Sequence, residues 1–230
     1  MAKKPLNRKK LLKEPDEFIT TMGRLIQFGT RYQRQLTCGV IALFVVLAAV
    51  SGYRYYQHTT NRSTFGMLSK ANSAYVEQLQ DGANDPLKAY EKVKSDYEAL
   101  LDNHGSTPAA QIGRVIYANI GFRAGQYDQA LKLYQTALGD TQGTSFYSPM
   151  IRANLGKALL AKEDLAGART QFEQAAQGAP APLAAESLFN AAIIAQAQDK
   201  SDEAADMFEK IVTEYPDSAY APLAKEAAKG

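Results

Sequence analysis

Few residues of this 230-residue chain are of types that do chemistry. The two histidines, His58 and His104, stand 46 positions apart, and neither lies in an HExxH-like spacing that would put metal ligands on one helix face. The single cysteine, Cys38, excludes an internal disulfide and any multi-cysteine zinc site. It is also far along the chain from either histidine, so no Cys–His nucleophile pair is expected. The 16 glycines are scattered rather than gathered into a phosphate-cradling loop. Two acidic pairs, Glu163–Asp164 and Asp202–Glu203, are the nearest approach to a catalytic carboxylate dyad. Both fall where a repeat turns, so solvated turns are the expectation. Asn61-Arg62-Ser63 is a formal glycosylation sequon with meaning only in a eukaryotic secretory setting. The residues thus predict no enzyme, no metal and no cofactor, and binding remains.

The elements that would position a binding surface emerge from how charge and apolarity are laid out. Lys and Arg total 26 against 24 Asp and Glu, a net charge of +2. The sum conceals a segregation. Residues 1–35 hold nine cations and three anions, while the remainder holds 17 and 21. Between the two regimes lies Gln35–Tyr53, 19 residues without a charge and wholly apolar over Val40–Val50. As a helix this stretch spans roughly 28 Å, close to the ~30 Å hydrocarbon core of a bilayer. A buried core helix is the competing reading, but soluble helices keep a polar face. A cleaved signal peptide would need a shorter basic region and a sharper cleavage site than Ala49 and Ser51 offer. An uncleaved anchor over residues 36–56 is therefore expected. The cation bias places the basic side in the cytoplasm and the rest beyond the membrane.

Residues 1–14 read as a basic cytoplasmic tail, and residues 15–35 as an amphipathic juxtamembrane helix. Phe18, Met22, Leu25, Ile26, Gly29 and Tyr32 recur at helical spacing, after Pro15, Asp16 and Glu17 at a first turn. Arg24, Arg31 and Arg34 would meet anionic headgroups, with Tyr53, Tyr55 and Tyr56 anchoring the opposite interface. A docking helix for a partner is the sharper alternative.

Beyond the anchor, residues 57–230 carry a repeat. Ala130, Ala168 and Ala204 align at intervals of 38 and 36 residues. Four positions later stand Tyr134, Phe172 and Phe208; three further, Ala137, Ala175 and Ile211. Pro180 and Pro216 close two of the units, with Gln142 at the equivalent place in the first. Ala118, Gly156 and Ala192 stand twelve before the key alanines. The pattern, clearest in RAGQYDQALKLYQTAL, resembles the tetratricopeptide repeat, a helix–turn–helix unit of about 34 residues. Arg114, Arg152 and Leu188 stand where that family often has Trp. Clear units are expected at about 111–144, 149–182 and 185–218. A degenerate unit would precede them (Ser63–Leu79, then Tyr97 as its aromatic), and a capping helix would follow over Ala221–Ala228. Pro86, Pro108, Pro149, Pro182 and Pro222 fit first helical turns, with Asp85, Thr107 and Ser148 as caps. The expected fold is all-α: a single N-terminal transmembrane helix followed by a tetratricopeptide-like helical solenoid.

Stacked repeats of this kind form a groove lined by their first helices. By repeat position it would show Val115, Asn119, Phe122 and Arg123, then Lys157, Leu160 and Ala161, then Phe189, Ile193 and Gln196. Such a lining suits an extended segment with apolar side chains and one or two carboxylates. The alternative places Phe122, Leu160 and Phe189 in the inter-repeat core.

The order of parts, with EFITTMGRLIQFGTRYQRQL, GYRYYQ and the first repeats, resembles the YfgM-like proteins of Gram-negative bacteria. The resemblance implies a single-pass inner-membrane protein, N-terminus cytoplasmic and repeat domain periplasmic. It would be an ancillary, chaperone-like subunit at the Sec translocon. Partners would be translocon subunits, periplasmic chaperones or envelope-assembly factors, together with the lipid bilayer; nucleic acid is not expected, and a homo-oligomer is left open. An adaptor for cell-envelope assembly (outer-membrane, division or Tol–Pal related) is the alternative, since FEKIVTEYPDSAYAPLAKEA resembles repeats of that group. An enzyme with an unrecognised site is the third.

Overall fold

The computed structural model describes residues 17–81, 84–141 and 146–228. The basic tail and Pro15–Asp16 lie outside the described residues. Among those described there are ten α-helices and no strand: α1 (Glu17–Arg31), α2 (Gln33–Asp81), α3 (Pro86–His104), α4 (Pro108–Arg123), α5 (Tyr127–Asp140), α6 (Ser148–Ala161), α7 (Leu165–Ala176), α8 (Ala181–Ala197), α9 (Ser201–Glu214) and α10 (Tyr220–Ala227). Two compact units divide at Thr59 and Thr60, inside α2.

In the first unit, α1 and α2 are separated only by Tyr32. Its N–H donates to the Phe28 carbonyl (3.0 Å), and its own carbonyl accepts from Leu36 N–H (2.8 Å). The Phe28 and Tyr32 rings meet at 4.7 Å. Every residue of Val40–Val50 is exposed, and no part of the apolar span is buried within the protein. A helix this long and apolar, exposed along its span among the described residues, is a candidate membrane span. No proline interrupts α2 after the span, so the helix expected over Ser63–Leu79 is the C-terminal part of α2 itself.

The second unit is a stack of helix pairs. The C-terminal part of α2 buries Thr64, Leu68, Ala71 and Tyr75, one helical face at spacings of four, three and four. Then come α4–α5, α6–α7 and α8–α9, with consecutive helices packed on one another. The aligned positions explain the crossings. Ala130, Ala168 and Ala204 are buried, as are Tyr134, Phe172 and Phe208 four residues on. A side chain of that size contributes about 1.5–3 kcal/mol when fully buried. The small residues of the first helices make room for these rings. A Cβ on Gly156 would stand 3.0 Å from the Phe172 ring.

One turn recurs in all three pairs. Gly125, Glu163 and Asp199 have φ of 74°, 63° and 58°. The next residue's N–H reaches five residues back each time, Gln126 to Gly121, Asp164 to Leu159 and Lys200 to Ala195, at 2.8 to 3.0 Å. This is the Schellman closure, which satisfies carbonyls left open at a helix end. Between α2 and α3 Asn84 is also left-handed (φ 58°), but there the left-handed residue's own N–H reaches five back, to the Leu79 carbonyl at 3.2 Å, so the closure is not the same. There the turn lies 13 residues before the aromatic Tyr97, against nine in Gly125–Tyr134. The degenerate unit's second helix is thus one turn longer, which obscures it in the sequence.

Two of the three expected caps form: Asp85 accepts from Leu87 and Lys88 N–H, and Thr107 from Ala110 N–H. Ser148 does not cap. It is the first residue of α6, buried, with its hydroxyl 3.3 Å from that of Thr141, and Tyr147 takes the cap position. Proline is tolerated throughout a first turn, so Pro149 allows the helix to start a residue earlier. Pro180 likewise precedes α8 as its N-cap residue, α7 having already ended at Ala176. At the far end α10 packs on α8 and α9 through Ala221 and Ala224.

Candidate protein-binding groove

The first helices of the clear repeats, α4, α6 and α8, carry the expected groove. Between α4 and α6 lies a cavity of about 450 Å³. From α4 it is lined by Pro108, Gln111, Ile112, Val115, Ile116 and Asn119. These positions share one helix face. Ala137 and Thr141 contribute from the end of α5, and Tyr147, Met150 and Ile151 from the start of α6. None of these lining residues is acidic or basic. Ile112, Tyr147 and Met150 are exposed at 47%, 59% and 40%, and Phe146 beside them at 81%.

Of the residues predicted for the groove, Val115 and Asn119 line this cavity. Asn119 Oδ1 accepts from the Tyr134 hydroxyl at 2.6 Å and from Asn154 Nδ2 at 3.1 Å. Arg123, at the end of α4, is exposed. Phe122 is half-buried against Tyr127, ring centres 5.5 Å apart, within its own helix pair. Lys157 pairs with Glu186 at 2.7 Å, joining α6 to α8. Leu160 and Ile193 are exposed apolar residues and Ala161 is exposed as well. Phe189 packs between Phe208 (5.8 Å) and Tyr220 (5.4 Å). Gln196 Nε2 donates to the Ala227 carbonyl at 3.4 Å. The expected lining is therefore spread over three settings: a cavity, the helix packing and the open surface. Sequence reasoning passed over Gln111, Ile112, Ile116, Tyr147, Met150 and Ile151. Their signal was a second apolar face on α4, at Ile112, Val115 and Ile116, on a helix whose core face was already complete.

Around the groove the polar residues hold helices together. Arg114, in the position often held by Trp, is buried, pairs with Asp140 and donates to the Gly105 carbonyl at 3.3 Å. Burial pushes its guanidinium down from the usual arginine range. Arg152 in the next repeat donates to Gln171 (3.2 Å) and Gln174. The acidic pairs are structural: Glu163 sits in the left-handed turn, Asp164 caps α7 by accepting from Gly167 N–H, and Glu203 pairs with Arg169. Hydrogen bonding from Arg169 holds the Glu203 carboxyl below its ordinary range. Tyr117 stacks between Tyr90 (5.6 Å) and Tyr97 (5.0 Å). Burial pushes the Tyr117 and Tyr134 phenols up, and the Tyr97 phenol up to about 12. Among the described residues no cluster of three His, Cys, Asp or Glu stands ready for a metal ion.

The residues predicted to contact a membrane surface, Arg24, Arg31, Arg34, Tyr53, Tyr55 and Tyr56, are all exposed. They occupy α1, the start of α2 and the end of its apolar stretch.

Comparison with known proteins agrees with this geometry. A family model described as a tetratricopeptide repeat-like domain matches residues 27–187, and one described as a tetratricopeptide repeat matches residues 186–218. A search of curated proteins gives no significant match. Among solved structures, nearly identical TPR-like repeats of kinesin-light-chain type from Podosopora anserina superpose with a TM-score of 0.54. They are 16% identical, over 65% of this chain and 77% of that one, which supports the fold. BtubC from P. vanneervenii reaches 0.48 at 16% identity, over 70% and 74% of the two chains. YrrB, described as a TPR protein with an unusual peptide-binding site, reaches 0.31 at 18%, over 68% and 98%. Repeats of this class act as protein-binding scaffolds rather than as enzymes. With its family model covering residues 27–187, this chain belongs to the tetratricopeptide repeat-like domain family.

Proposed function

We propose that this protein is a membrane-anchored scaffold, its repeat domain held outside the cytoplasm by the apolar span of α2 and offering the first-helix face to a partner protein. The observation that carries the reading is the uncovered apolar stretch Val40–Val50, with its excess of cations on one side and of anions on the other. Such a stretch spans a bilayer, and the cation bias sets its direction. The arginines 24, 31 and 34 then lie at the cytoplasmic surface and the tyrosines 53, 55 and 56 at the opposite one. In a Gram-negative cell this is an inner-membrane protein with a periplasmic repeat domain.

The resemblance to YfgM-like proteins supports placing that domain near the Sec translocon, where emerging chains and periplasmic chaperones are its partners. Purification of the full chain from solubilised membranes tests this. Translocon subunits or periplasmic chaperones should co-purify in near-stoichiometric amount, and their absence at mild detergent concentration counts against the assignment. The resemblance of FEKIVTEYPDSAYAPLAKEA to repeats of envelope-assembly proteins supports a second reading, an adaptor for envelope assembly. Envelope defects on deletion, with secretion intact, would favour it.

A further inference from the structure

We propose that the cavity between α4 and α6 holds a fatty acid, its acyl chain against the apolar lining and its carboxylate on Arg123 and Asn119. This goes beyond the scaffold reading. It adds a lipidic ligand to the repeat domain and draws on the membrane anchor only for the ligand's source.

The cavity has two unlike ends. Its apolar walls are Ile112, Val115 and Ile116 from α4 and Met150 from α6. Ile112 and Met150 are exposed, so apolar surface is left for an acyl chain to cover. Further along α4 the lining turns polar at Asn119, and Arg123 stands one turn beyond it on the same helix face. Ile112 and Arg123 are roughly 16 Å apart along the helix axis. A ligand apolar at one end and polar at the other matches this gradient. The volume of about 450 Å³ lies low in the range of roughly 300–1,000 Å³ for small-molecule pockets, which suits one acyl chain rather than two.

The ion pairs set the sign of the head group. Asp140 is paired with Arg114, Asp128 with Lys162 and Glu186 with Lys157. Arg123 is exposed and forms no ion pair among the described residues. It lies close enough to act on Tyr134: burial pushes that phenol up, and the Arg123 charge draws it partly back. The Tyr134 hydroxyl in turn donates to Asn119 Oδ1 at 2.6 Å, so cation and amide stand at the same end of the cavity.

The donors set the chemistry of the head. Asn119 Oδ1 is taken by Tyr134 and Asn154, while its Nδ2 makes no hydrogen bond among the described residues. A guanidinium and an amide N–H both require acceptors. A carboxylate supplies two oxygens, accepts from a guanidinium bidentately and matches the single uncompensated charge. The bilayer that α2 is proposed to span is the source of such an amphiphile.

Photolabelling of the full chain in lipid nanodiscs tests the proposal. The probe is dodecanoic acid with a diazirine at the end remote from its carboxylate, and labelled residues are located by mass spectrometry. The apolar span of α2, labelled from the bilayer in every sample, is the internal reference. Label is expected on the peptides carrying Ile112 and Met150, and excess unlabelled dodecanoic acid should remove it there. Arg123→Glu should lower this label about fivefold relative to the span, and Arg123→Lys, which keeps the charge, should retain most of it. Ile112→Asp should lower it about tenfold, and Leu160→Asp, outside the cavity, less than about twofold. Circular dichroism checks that each variant is folded. Label confined to the span would overturn the proposal and leave the scaffold reading, which concerns a protein partner, standing. Cavity label that survives Arg123→Glu, or that uncharged dodecanamide displaces as well as the acid does, would overturn it too. So would label lost in Leu160→Asp but kept in Ile112→Asp, which would place the chain elsewhere on the repeats.

Discussion

Glu163 and Asp199 occupy backbone positions that suit glycine, which Gly125 provides in the first repeat. A left-handed residue with a Cβ costs about 1–2 kcal/mol, partly offset by the entropy glycine loses on folding. Glu163→Gly and Asp199→Gly should therefore each stabilise the fold by about 0.5–1 kcal/mol in urea melts. Glycines elsewhere behave according to what surrounds them. Gly139 has open space around it, so Gly139→Ala should gain up to ~1 kcal/mol of helix propensity. Gly156→Val would press on Phe172 and should cost about 1–3 kcal/mol. Tyr97 gives a pH test. Its phenol titrates near 10 in the unfolded chain and near 12 in the folded one, because burial disfavours the phenolate. Its contribution is fully present below pH 10 and is lost as pH rises toward 12, on the order of 2–3 kcal/mol in total. The Tyr97 hydroxyl has no hydrogen-bond partner among the described residues. Tyr97→Phe should thus leave stability at pH 7 within about 0.5 kcal/mol of the parent and remove one proton's worth of the alkaline slope. At this scale the repeat residues were legible from sequence, since small and aromatic positions recur at fixed spacing. The left-handed turns at Glu163 and Asp199 were not, because Glu is an uncommon residue at positive φ and Asp, though enriched there, is far more often found in other conformations.

At the scale of elements, the second helices were more legible than the first. Alanine, aromatic and alanine at fixed offsets pin α5, α7 and α9, whereas Arg114 and Arg152 hide the register of α4 and α6 by replacing a ring with a guanidinium. Arg114 does its packing through Asp140 and the Gly105 carbonyl, contacts that no spacing rule reveals. The cavity was only half visible for a related reason. Val115 and Asn119 follow from repeat position, but Met150 and Tyr147 reach it only because α6 starts at Ser148, one residue before its proline. Phe189 and Gln196 were placed on the groove by repeat position, yet α10 lies against both, through Tyr220 and Ala227. That contact makes α10 a structural cap. Ala224→Asp would bury an unpaired carboxylate there and should cost about 3–5 kcal/mol, with hydrogen exchange rising in α8 and α9 before α4 and α5. Uniform exchange across all pairs would mean that the array opens as one block and that α10 has no local role.

For the whole molecule, the near-neutral composition averages a cationic segment and an anionic repeat array separated by an apolar helix. Their separation was legible because a bilayer demands an uninterrupted apolar run, a pattern that needs no tertiary information. The identity of the partner was not legible, since a groove is a surface assembled from several helices and its chemistry depends on which side chains turn inward. Placing Leu43→Arg and Val46→Arg in the span should cost about 2.5–3.5 kcal/mol each in hydrocarbon. The doubly substituted chain should then move from the alkali-resistant membrane pellet to the soluble fraction. The central claim is that the face between α4 and α6 meets another protein while α2 holds the chain in the membrane. Photocrosslinking in intact cells, from a reactive residue in place of Ile112, tests it most directly. The account predicts a discrete heteromeric adduct from this position that disappears when Met150→Asp is added. Adducts that arise only from Tyr55, with none from Ile112, would contradict it.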